Sequence, residues 1–222
     1  MHVLLLFEHT GLAAKSFTDL GHTVTIVDIL NKKNNPWATT TLNWNILEHE
    51  DELIALAKQS AIVIGMPPCT DLTVAGAKHF AKKRKANPNF QLDAMHLARS
   101  VERIGTAAGV SWIIENPVGV LSTLWRKPDY IISPHEFGGY LPELDIHPLW
   151  PKYIAPRDAY TKQTCLWCSA DFKLPQKKYI KPEHLGYAVN RQTAYLGGKS
   201  LQTKIIRSAS PRAFFTALAQ QL

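Results

Sequence analysis

Hydrophobic and polar positions alternate in blocks along the first half of the chain. Val3 to Phe7 reads VLLLF, a short continuous apolar run that suits a buried strand. Residues 11–21, GLAAKSFTDLG, place Leu12, Phe17 and Leu20 at helical spacing, and 22–29, HTVTIVDI, is again strand-like. Together they predict a β–α–β unit opening a parallel sheet. After the loop NKKNNPW, the segment HEDELIALAKQS (49–60) is an amphipathic helix and AIVIGM (61–66) a further strand. A longer helix is expected from Asn89 to Ala108, with Leu92, Met95, Leu97, Val101 and Ile104 on its apolar face. VSWIIENP (110–117) then forms another strand, which ends on polar residues and proline.

Beyond Pro117 the periodicity loosens. Residues 128–190 are rich in proline, aromatics and turn formers, with only short strand-like pieces. The C-terminal RSASPRAFFTALAQQL predicts a helix with Ser210 as N-cap, Pro211 at the first position, and Phe214, Phe215 and Leu218 turned inward. The expected organisation is an α/β core over 1–127, a small irregular β-rich lobe over 128–190, and a C-terminal segment, 191–222, whose helix returns to the core. The core should be a mostly parallel sheet with helices on both faces.

Composition narrows the class. With 222 residues, 45% of them hydrophobic, the chain can bury one good core. No apolar run approaches the roughly 20 residues of a membrane span, and the opening MHVLLLFEHTG lacks a signal peptide's basic start, so no membrane partner is expected. Three cysteines make no disulfide framework and suit a reducing compartment, so the expected location is cytoplasmic. Lysine and arginine number 25 against 18 acids, a formal charge of +7. That excess suits a polyanionic partner and equally suits a protein that is simply basic. Its densest run, KHFAKKRK (78–85), reads either as a phosphate contact or as a solvated helix face.

Candidate chemistry gathers at the strand ends. A parallel sheet sets its C-terminal ends side by side, so Glu8, Asp28, Cys69 and Glu115 should line one crevice. In AIVIGMPPCTDL (61–72) two prolines stop the strand and leave Cys69 just beyond it, as either a displayed nucleophile or a small hydrophobe closing a loop. Asp28 stands where nucleoside-binding α/β proteins hold an acid for ribose hydroxyls; a turn cap is the alternative. FEHTG has one glycine where a dinucleotide fingerprint has three, so an adenosine ligand without phosphate fits better.

In this order the segments FEHTGLAAKSFTDLGHTVTIVDI, MPPCTDLTVAG, IIENPVGVLST, YTKQTCLW and TKIIRSASP occur along most of the chain. The sequence thereby resembles the DNA cytosine-5 methyltransferases that use S-adenosylmethionine, most closely their compact, often phage-borne members. PPCT followed by ENP after about 45 residues is the most specific part of the likeness. The resemblance implies a Rossmann-like methyltransferase fold and methyl transfer to carbon 5 of a cytosine flipped out of DNA. It makes Cys69 the nucleophile on carbon 6, Glu115 the acid at N3 and the exocyclic amine, and Arg207 a support for the catalytic loop or a phosphate. For S-adenosylmethionine it implies Phe7, Glu8, Thr10 and Gly11 as the donor loop, Asp28 as the ribose ligand, Asn45 at the adenine, and Pro68 shaping the loop between donor and base. Asn116 and Pro117 would set the geometry of the glutamate loop.

Two alternatives stay open. The short lobe after Pro128, with no evident QxRxR segment, permits the same chemistry on a free cytosine nucleotide such as dCMP. His9, where a small residue is common, permits a non-catalytic nucleic-acid-binding relative with an altered donor pocket. A zinc site using Cys165 and Cys168 of CLWC with His135 and His147 competes with a buried strand over the same cysteines. Trp37, Trp44 and Trp125 read either as base-stacking platforms or as core packing.

Overall fold

The computed structural model describes residues 1–182 and 200–222. The chain runs β1 (His2–Leu6), α1 (Leu12–Thr18), β2 (Thr23–Val27), β3 (Thr40–Leu42), α2 (Glu50–Ala57), β4 (Ile62–Gly65), α3 (Phe80–Ala86), α4 (Phe90–Ala98) and α5 (Ser100–Ala108). It continues through β5 (Ser111–Pro117), α6 (Leu121–Leu124), β6 (Tyr130–Ile132), β7 (Thr164–Cys168), α7 (Leu201–Arg207) and α8 (Arg212–Ala219). Among the described residues one seven-stranded sheet has the order β3-β2-β1-β4-β5-β7-β6. The pairs from β3 to β5 are parallel, and β7 is antiparallel to both of its neighbours.

Burial on both faces explains why the strands read as continuous apolar runs. Successive β1 side chains point to opposite sides: Val3 and Leu5 join Phe17 of α1 and Phe214 of α8, while Leu4 and Leu6 join Leu53 of α2 and Val101 and Ile104 of α5. Helices therefore cover both faces. No helix among the described residues is long and apolar enough to cross a membrane.

Two expectations change in detail, and one strand is unexpected. The helix over 89–108 divides at Arg99, where the Ser100 hydroxyl donates to the Leu97 carbonyl (2.8 Å) and competes with the backbone ladder. The edge strand β3 is too short to leave an alternation in the sequence. At the C-terminus the helix starts at Arg212 with Pro211 as its cap residue, and Ser210 makes no side-chain cap bond. The capping acceptor is remote: Asp158 Oδ2 accepts the Ala213 N–H at 2.8 Å.

The strands of the 128–190 region do not build a sheet of their own. β7 pairs with β5 from Ile113↔Cys168 to Pro117↔Thr164, and β6 pairs with β7, so both extend the one sheet and cover the edge β5 would otherwise expose. The rest of the region, as far as residue 182, is loop and short 3-10 turns, packed through Ile154, Ala159 and Tyr160 against Leu12 and Ile206. A buried ion network fastens it to α8, with Arg212 donating to Asp145 (2.9 and 2.7 Å) and to Asp158 (3.3 Å). The boundary expected at residues 190/191 lies outside the described residues.

Candidate active site

β1 lies between β2 and β4, so the chain leaves the sheet in opposite directions from the C-terminal ends of β1 and β4. At such a reversal the loops diverge and leave a crevice. A cleft of about 990 Å³ opens here, lined by the loops after β1, β2, β4 and β5, by Thr161 and Lys162 before β7, and by the end of α7. Of the ten residues singled out from the sequence, Phe7, Glu8, Thr10, Asp28, Asn45, Pro68, Cys69, Glu115 and Arg207 line it. Gly11 is buried at the head of α1 instead.

The first loop is organised by its own acid. Glu8 is buried, and its Oε1 accepts from the Thr10 amide (2.7 Å), the Thr10 hydroxyl (2.7 Å) and the Gly11 amide (2.9 Å), while Oε2 accepts from the Ala13 amide (3.3 Å). The amides are donors that the first turn of α1 leaves unpaired, so Glu8 acts on the loop's shape. Phe7 takes φ +60°, rare for a non-glycine residue, and Gly11 takes φ +78° with the Asn35 side chain where a Cβ would stand.

The second strand end carries Asp28, whose Oδ1 accepts the Leu30 amide at 2.7 Å and whose Oδ2 lies 3.7 Å from His9 Nδ1. The Asp28 carboxylate beside it raises the His9 pKa above its ordinary value, against the effect of burial. Directly after Asp28, Ile29 and Leu30 line the cleft while 64% and 47% exposed. Sequence patterning does not single them out, although two apolar residues in a turn that follows a strand-terminal acid are a usable signal. Asn45 uses its amide within its own loop, donating to Glu48 Oε1 (2.7 Å) and accepting from the Leu47 amide (3.2 Å). Trp44 lines the cleft with its ring stacked on His49 at 4.6 Å. Trp37 packs against the third apolar cluster and Trp125 stacks between Trp112 and Trp167.

Cys69 and Glu115, separated by 46 positions in the sequence (69 to 115), meet at the ends of the adjacent strands β4 and β5. The buried Asn116 amide donates to the Pro67 carbonyl at 2.9 Å and ties the two loops together. A second tie follows, with Val120 N–H donating to Leu72 O (2.7 Å) and Val74 N–H to Val118 O (3.3 Å). Gly119 is required between them, because a Cβ there would stand 2.0 Å from the Leu72 carbonyl oxygen. This cross-linking explains the polar and proline endings of both strands.

Burial raises the pKa of the Cys69 thiol, and the neighbouring Glu115 raises it further, while Lys162 opposes both. Glu115 is 8% exposed, and burial raises its pKa against Lys162 and a hydrogen bond with Thr164. Its Oε1 has no hydrogen-bond partner among the described residues. Lys162, which lies in the YTKQTCLW segment with no role implied for it there, is thus the cation shared by both groups. In the sequence it is one lysine among many before a strand, and only the insertion of β7 beside β5 brings it here.

The CLWC cysteines cannot share a metal. Strand alternation sends Cys165 into the apolar core on one face of the sheet and Cys168 into the core on the other. His147 instead accepts the Leu149 and Trp150 amides through Nδ1. No cluster of three or more metal-ligating side chains occurs among the described residues. No protein-family model and no curated protein matches the chain.

Proposed function

We propose that this chain is an S-adenosylmethionine-dependent methyltransferase of Rossmann-like fold that methylates carbon 5 of cytosine in DNA. The observation that carries the reading is the pairing of Cys69 with Glu115 on tied loops beside the reversal in strand order. A thiol nucleophile and a carboxyl of raised pKa in one cleft are what attack on an electron-poor pyrimidine requires.

Cys69 as thiolate forms a bond to carbon 6 of the ring, and the electrons of the 5,6 double bond move toward carbon 5. Glu115, whose burial favours the protonated form, gives its proton to N3 and makes the ring accept the attack. While Glu115 carries that proton its charge no longer opposes the thiolate, and Lys162 favours it. S-adenosylmethionine supplies an electrophilic methyl group to the carbon 5 so activated. Methyl transfer leaves the neutral thioether S-adenosylhomocysteine; loss of the carbon 5 proton to a base then restores the 5,6 double bond and expels the Cys69 thiolate, and N3 returns its proton to Glu115.

The residues present fit such a donor. Asp28 lines the cleft with its Oδ2 3.7 Å from His9, and Ile29, Leu30 and Trp44 offer apolar surface that a flat purine would cover. The cleft volume, about 990 Å³, accommodates a nucleoside donor and a pyrimidine together.

The test is transfer of labelled methyl from S-adenosylmethionine to duplex DNA, with 5-methylcytosine as product. Cys69→Ser is expected to abolish transfer, retain donor binding by calorimetry and lose covalent trapping on 5-fluorocytosine DNA. Undiminished turnover in that variant would refute the mechanism. Transfer to dCMP alone would move the substrate to the free nucleotide, and absence of donor binding in the native protein would leave a nucleic-acid-binding relative.

A further inference from the structure

The chain between Asp71 and Asp93 contains no acidic residue and carries Lys78, His79, Lys82, Lys83, Arg84 and Lys85. It leaves the Cys69 loop as a 3-10 turn, Val74–His79, and continues directly into α3. Thr70, Thr73, Gly76 and His79 still line the cleft, so the cationic segment begins at its mouth.

α3 contributes no buried residue to either face of the sheet, and its Phe80 ring packs 5.6 Å from that of Phe90, so packing does not account for its cations. Of its cations, Lys83 pairs with Asp71 and Arg84 reaches Gln91 (3.4 Å), which fastens the helix to the loop before it and the helix after it. Lys78, near the end of the 3-10 turn, and Lys82 and Lys85, three apart on one side of α3, are exposed and form no ion pair among the described residues. Three like charges this close along the chain repel one another, a cost that a line of phosphates offsets. Lys204 and Arg207 of α7 add cations to the cleft lining, so the field at the mouth is positive on more than one element.

We propose that Lys78, Lys82 and Lys85 form a docking face for the phosphate backbone of duplex DNA, holding it over the cleft while Cys69 acts on an extruded base. The inference rests on reading the cleft as one that works on DNA. The interaction is sequence-independent, because lysine is a point charge that neutralises phosphate and reads no base edge.

A duplex made only of A·T pairs tests this face apart from the chemistry, since it offers phosphates and no cytosine. Its binding is measured against salt concentration for the native protein and for the combined Lys78→Gln, Lys82→Gln, Lys85→Gln variant. Circular dichroism and thermal melting establish that the variant is folded, as expected for exposed side chains. The slope of log affinity against log salt is expected to become shallower by about 2.7, at roughly 0.9 for each phosphate that is no longer neutralised. An unchanged slope would overturn the docking face and leave the methyl-transfer reading standing. A native protein that binds no duplex, or binds only single-stranded RNA, would also overturn it. Label transfer to cytosine-containing duplex then decides the function independently.

Discussion

Replacing His147 by asparagine should remove most of one acid-sensitive component of stability without breaking the turn that His147 supports. His147 is 1% exposed, and its Nδ1 accepts the N–H groups of Leu149 (3.3 Å) and Trp150 (3.0 Å). Those bonds require a lone pair on Nδ1, which a protonated imidazole lacks. Burial, with the Arg212 guanidinium assisting and Asp145 opposing, holds the pKa down at about 3, against an ordinary 6.5. Between these values the unfolded chain takes a proton that the folded protein refuses, so stability is full above pH 6.5 and falls as pH drops toward 3. The slope is ~1.4 kcal/mol per pH unit, or about 3 kcal/mol from pH 6 to pH 4. That is a large part of the roughly 5–15 kcal/mol of a typical domain. Asparagine places Oδ1 the same number of bonds from the backbone as Nδ1, accepts the same two amides and does not titrate. Loss of the stacking on Trp150 (5.5 Å) lowers its stability equally at every pH. Urea unfolding of both proteins between pH 7.5 and pH 4 is the assay. The contribution from Asp158 is common to both, so the difference between the two curves reports His147 together with its coupling to Asp145. The native protein should lose about 3 kcal/mol more than the variant on going from pH 6 to pH 4. Parallel curves would show that His147 is not held neutral by this turn.

Two further substitutions address the site. Gly119→Ala drives a Cβ against the Leu72 carbonyl, 2.0 Å away, and should cost about 1–3 kcal/mol of stability in urea titration. Because it separates the Cys69 and Glu115 loops, kcat should fall far more than donor affinity. Glu115→Gln removes a buried carboxyl whose folded pKa is raised, a group whose stabilising protonation is complete below about 4.5 and is lost as pH rises through the folded value. The variant should therefore be at least as stable as the native protein at neutral pH by thermal melting, yet transfer methyl at least ~10²-fold more slowly. A less stable variant, or one with native turnover, contradicts the role given to this carboxyl.

Much of the core was legible because burial on both faces writes itself into a strand as unbroken apolar sequence. VLLLF, HTVTIVDI, AIVIGM and VSWIIENP therefore identify β1, β2, β4 and β5, with strand ends close to those observed. The prolines and polar residues that terminate two of these strands also mark where Cys69 and Glu115 leave the sheet. Local patterning accounts for all of this, since each signal lies within a dozen residues. Around Glu8 and Asn45 the residue types allow either a ligand or a local turn; in the fold Glu8 accepts the amides of Thr10, Gly11 and Ala13, and Asn45 donates to Glu48. Long-range packing set the rest. Nothing in RSASPRAFF reveals that Asp158 caps α8. Lys162 reaches Cys69 and Glu115 because β7 slots in antiparallel beside β5, a pairing across about 50 residues that leaves no local trace. Which strands exist, and which reactive groups sit at their ends, follows from neighbours along the chain and is written there. Which of those groups face the cleft and which cation they share depends on segments far apart in sequence, and is settled when they pack together.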